Sequence, residues 1–108
     1  MTKQLKVGDK FSWGKAFPTF TVMAVSRLGK ALNLKNTSYN RGHTPVVGSQ
    51  LVLISETYHF PNSEPETYYR VLLLAADNYD DCLYQKHYKL PSAAGKYYLT
   101  LKAKGKAE

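Results

Sequence analysis

The chain has 108 residues, a formal net charge of +7 and a hydrophobic content of 44%, including nine Tyr, four Phe and one Trp. That length builds one domain with a modest core, and the apolar and aromatic content excludes a disordered chain. Cys82 is the sole cysteine, which excludes an intrachain disulfide and favours a reducing, cytoplasmic setting.

No apolar h-region follows Met1, so no signal peptide is expected. The longest aliphatic run, Val71–Ala76, is far too short to cross a bilayer, so no membrane partner is expected either.

Val7-Gly8-Asp9 reads as a turn into a first strand over Lys10–Gly14, with Phe11 and Trp13 on one face. Phe20–Ser26 is rich in β-branched and apolar residues. The turn Arg27-Leu-Gly-Lys30 leads on to Ala31–Lys35, where apolar and polar residues alternate, so the two runs are expected to pair as a hairpin. Residues 36–49 read as a polar loop carrying Arg41 and His43, and Leu51–Ser55 as a buried strand. Pro61 and Pro65 break the next segment into a loop.

Residues 64–77 support two readings. Ser63-Glu-Pro-Glu66 has the form of a capping box before a short helix. Against it, Tyr68-Tyr-Arg-Val71 are strand formers, and Asp77-Asn-Tyr-Asp-Asp81 is dense turn chemistry. The strand reading is favoured, with Tyr69–Ala76 and Cys82–Leu90 paired as a hairpin. In the last segment Tyr97, Leu99 and Leu101 alternate with Lys96, Tyr98, Thr100 and Lys102, which predicts a final strand over Lys96–Lys102. Residues 103–108 read as a flexible basic tail. Residues 1–102 are therefore expected to be all-β: a small antiparallel barrel or curled sheet, OB-like or SH3-like in size.

Charge divides the chain into three blocks. Residues 1–54 hold eight Lys and Arg against Asp9, residues 55–81 hold six Asp and Glu against Arg70, and residues 82–108 hold six Lys against Glu108. Two basic blocks brought together would make one field attractive to polyanions. Basic side chains neutralise phosphates, and interleaved aromatic rings stack on unpaired bases. The expected contact set is Lys10, Lys15, Arg27, Lys30, Lys35, Arg41, Lys89, Lys96, Tyr98 and Lys102.

Two short stretches resemble known families. Val25-Ser-Arg-Leu-Gly-Lys30 is similar to the basic loop of filamentous-phage single-strand DNA-binding proteins, and the likeness implies a nucleic-acid contact at that turn. Tyr69-Arg-Val-Leu, with Asp77-Asn-Tyr79 and Leu83, resembles the hairpin signature of lipocalins, and implies strands on both sides of that turn.

No phosphate-binding glycine loop, nucleophile elbow or spaced Cys/His set is present, so neither a cofactor nor a metal is expected. The leading expectation is a small non-enzymatic protein that binds nucleic acid, preferably single-stranded. Its compactness and charge suit a phage or mobile-element protein. A module docking on an acidic host protein is the second expectation, and opposite patches could also drive self-association. The third is a small endoribonuclease on an SH3-like barrel, using Arg41 and His43.

Overall fold

The computed structural model describes residues 5–11, 18–32, 47–59, 61–76 and 82–106. Five strands are followed by one helix: β1 (Lys10–Phe11), β2 (Thr19–Arg27), β3 (Gln50–Tyr58), β4 (Glu66–Leu74), β5 (Cys82–Tyr88) and α1 (Pro91–Lys104). The strands form one antiparallel sheet in chain order, β1-β2-β3-β4-β5. The molecule is mostly β, and among the described strands the sheet does not close into a barrel.

Central position explains the composition of β3. Every residue from Gln50 to Ile54 is buried, and Leu51–Ile54 is apolar on both faces instead of alternating. Odd-numbered Leu51 and Leu53 join Val71, Leu73 and Tyr84 beneath the helix. Even-numbered Val52 and Ile54 join Phe20, Val22, Leu72 and Leu74 on the far face, with Leu5 packed there too. These two layers hold most of the described core.

A bulge at Met23 sets the face that the end of β2 presents. Val22 pairs with Ile54 and Ala24 with Leu53, so Met23 is the extra residue. Ala24 and Ser26 therefore turn to the helix side, where the Tyr98 hydroxyl donates to Ser26 Oγ at 3.0 Å. Gly48, at φ +89°, makes the turn into β3 with a backbone that side-chain-bearing residues rarely adopt. Its N–H donates to Leu28 O at 2.8 Å, joining that turn to the end of β2.

Three expectations meet the structure here. The final strand over Lys96–Lys102 is instead the middle of α1. Its alternation is incidental to the packing: Leu99 is 62% exposed, whereas Ala94, Tyr98 and Leu101 form the buried stripe at helical spacing. Pro91 at the helix start supplies a preset φ, and Lys102 and Lys104 in the last turn complement the helix dipole. Ala103 and Lys104, read as part of a flexible tail, complete that last turn.

Second, β4 occupies Glu66–Leu74, so no helix forms there, as the favoured reading had it. Strand pairing with β3 and β5 on both edges outweighs the local capping signal. Third, β2 pairs with β3, and among the described residues it has no pairing with the segment after Lys30. Ala31 and Leu32 are not in a strand, and residues 33–35 lie outside the described set. No helix among the described residues is long and apolar enough to cross a membrane.

Candidate functional site

The end of β2 and the end of α1 are joined by backbone. Gly105 O accepts from Gly29 N at 2.6 Å and from Lys30 N at 3.2 Å. Gly105 is buried, and a Cβ placed there would lie 2.5 Å from Leu28 Cδ2. A side chain at this position would require Leu28 to shift for the helix terminus to approach the β2 turn this closely. The contact brings the first basic block against the last.

A groove of about 590 Å³ lies at this junction, lined by Ser26, Arg27, Gly29, Leu99, Lys102 and Lys106 together with Ala103. None of these lining residues is acidic. Arg27 is held by donating from Nη1 to Gly48 O at 2.8 Å and to Ala76 O at 3.0 Å. Those carbonyls fix the guanidinium without neutralising it. On α1, Lys96, Leu99, Lys102 and Ala103 fall within about a third of the helix circumference, opposite the buried stripe. Among the described residues, no carboxylate lies within ion-pair distance of Lys96, Lys102 or Lys106. The result is a cationic rim around one exposed leucine.

Of the expected contact residues, the structure gathers Arg27, Lys30 and Lys102 at this end, and Lys96 lies further back along α1. Lys10 is exposed on β1, opposite Thr21, well up the sheet from Arg27. Lys89 follows β5 and lines a different groove. Tyr98 is 5% exposed with its hydroxyl on Ser26, so it holds the helix to β2 and is not a stacking platform. Lys15, Lys35, Arg41 and His43 lie outside the described residues. The expected set omitted Lys106 and Leu99. The helical phase from Pro91 onward carries the signal for both.

A second polar region occupies the other end of the sheet, on the face away from α1. Glu56 is 2% exposed, and Arg70 grips it from the neighbouring strand: Nε donates to Oε1 at 3.0 Å and Nη2 lies 3.0 Å from Oε2. The Tyr58 hydroxyl donates to the same Oε2 at 3.2 Å, and Arg70 Nη1 donates to Gln85 Oε1 at 2.7 Å. The Arg70 guanidinium also lies 5.5 Å from the Phe20 ring centroid.

Burial, then the Glu56 charge and hydrogen bond, push the Tyr58 hydroxyl above its ordinary value. His87, whose Cα pairs with Arg70, is pushed below its ordinary value by partial desolvation and then by the Arg70 charge. Its imidazole is therefore neutral at pH 7. Beside this network a groove of about 440 Å³ is lined by Tyr58, Tyr68, Glu66, His87 and Lys89, with Glu56 at its base and Tyr88 at its edge.

No family model matches the chain, and no curated protein or solved structure matches it.

Proposed function

We propose that the protein binds nucleic acid through the cationic groove between β2 and α1, with Arg27, Lys102 and Lys106 on phosphates and Lys96 extending the contact. One observation carries this reading: residues from opposite ends of the sequence line a single groove whose described lining contains no carboxylate. A phosphate backbone supplies charge at regular short spacing and asks for no base-specific contact.

Fluorescence anisotropy of a labelled single-stranded oligonucleotide, titrated across salt concentrations, tests the reading. With four phosphate contacts on a single strand, affinity should fall about fifty-fold between about 50 and 200 mM salt. The double reversal Lys102→Glu/Lys106→Glu should lower affinity at least tenfold. Absence of binding at low salt, or an unaltered affinity in the double variant, overturns the proposal.

Leu99 favours a second reading. An apolar side chain 62% exposed at the centre of a cationic rim also suits an acidic protein partner that buries it. Leu99→Ser separates the two: it leaves oligonucleotide affinity unchanged if phosphates are the target, and abolishes protein capture if a partner buries the leucine.

A further inference from the structure

The groove at the far end of the sheet carries a chemistry that the cationic groove lacks. Its walls are the rings of Tyr58 and Tyr68, set edge to face with centroids 5.8 Å apart. Its charges resolve simply. Glu56 is already neutralised by Arg70. Glu66 accepts from the Tyr68 hydroxyl at 2.8 Å through Oε2, and Oε1 has no partner among the described residues. Lys89 has no carboxylate within ion-pair distance among the described residues. Among the described residues, the groove thus offers one exposed carboxylate, one exposed ammonium and aromatic faces.

We propose that this groove binds one nucleotide whose base presents adjacent N–H donors, guanine above all, with the base against the tyrosine rings, its N–H edge on Glu66 and its phosphate on Lys89. The proposal deepens the nucleic-acid reading and rests on it. Glu66 and Lys89 both line the groove, so neither a simple cation nor a simple anion matches its charge. A nucleotide carries the matching pair: donors at one end and an anion at the other.

Base identity follows from the carboxylate. Guanine N1–H and N2–H lie side by side on the Watson–Crick edge and fit the two oxygens of a carboxylate as a fork. Uracil and thymine present one N–H flanked by two carbonyl oxygens, which Glu66 repels. His87 is neutral at pH 7 and so does not compete for Glu66 as a cation. Stacking on an aromatic ring adds about 1–3 kcal/mol for any base, so it contributes affinity without choice. The occupant is either a free nucleotide or one nucleotide of a single strand. Both present the same groups.

Equilibrium dialysis of the full chain with guanosine monophosphate and with uridine monophosphate tests this directly. Guanosine monophosphate should bind about tenfold more tightly, the size of one good bidentate pair. Glu66→Gln, at an exposed position, should bring the ratio close to one. Lys89→Ala should weaken both nucleotides and preserve the ratio. Equal binding of the two nucleotides, no binding of either, or an unchanged ratio in Glu66→Gln overturns the proposal.

Comparing oligo(G)-containing with oligo(U) strands then distinguishes the sources: the same preference in strands assigns the groove to strand recognition, and its loss there assigns it to the free nucleotide. Lys102→Glu/Lys106→Glu should weaken strands while leaving the mononucleotides unaffected. If strands bind with the expected salt dependence but mononucleotides show no preference, the nucleotide groove falls and the cationic groove stands. Nucleotide preference without salt-dependent strand binding removes the cationic groove instead.

Discussion

The two ends of β3 handle charge in opposite ways. Near Gln50, whose partner is Arg27, positive groups stand exposed with no carboxylate among the described residues lining their groove. Near Glu56, a carboxylate is buried and held by a guanidinium, a tyrosine hydroxyl and, through Arg70, a glutamine. Exposed like charges repel one another weakly and remain available to a polyanion. A buried ion pair is committed to the fold, because either member alone would be left desolvated without a partner. Changes at the first end should therefore be read in affinity, and changes at the second in stability.

The largest effect separating the ends is Arg70→Ala. It strands Glu56 in the interior and should cost about 3–5 kcal/mol in urea denaturation. Lys102→Ala, at the other end, should stay within about 0.5 kcal/mol of the parent. Comparable losses from both would erase the distinction.

Next comes Gly105→Ala, which tests whether the cationic end depends on close backbone approach. The added methyl must displace Leu28, a buried side chain. A cost of about 1–3 kcal/mol is expected, together with weaker oligonucleotide binding, because the turn bearing Lys30 would shift relative to α1. A fully stable variant with unchanged binding would show that the junction tolerates expansion.

The smallest effect concerns His87. Its folded-state value lies below the ordinary one, so the unfolded chain takes up a proton first as pH falls below about 6.5. Stability should decline through that window and level off once the folded-state value is passed. His87→Asn should flatten this part of the curve of melting temperature against pH. A profile that is the same with and without His87 would place the titration elsewhere.

Much of the sheet was legible in local pattern. The apolar run at Leu51–Ser55 and the strand formers at Tyr68–Val71 each carry their signal within a few residues. The helix was not legible in the same way. Tyr97, Leu99 and Leu101 satisfy a period of two, while Ala94, Tyr98 and Leu101 satisfy a helical period, and Leu101 belongs to both. Only packing against β3, β4 and β5 selects the second. At β4, likewise, a capping box competes with strand formers until pairing on both edges resolves it.

By itself the sequence determined a mostly β chain, a central apolar strand and a division of charge into three blocks, because each rests on neighbours close in the chain. Tertiary structure alone decided which of those charges meet. Arg27 and Lys102 are 75 positions apart, and they share a groove because the carbonyl of Gly105 accepts from the β2 turn. Glu56 and Arg70 are likewise joined by strand register, where a shift of one residue would send each side chain to the opposite face.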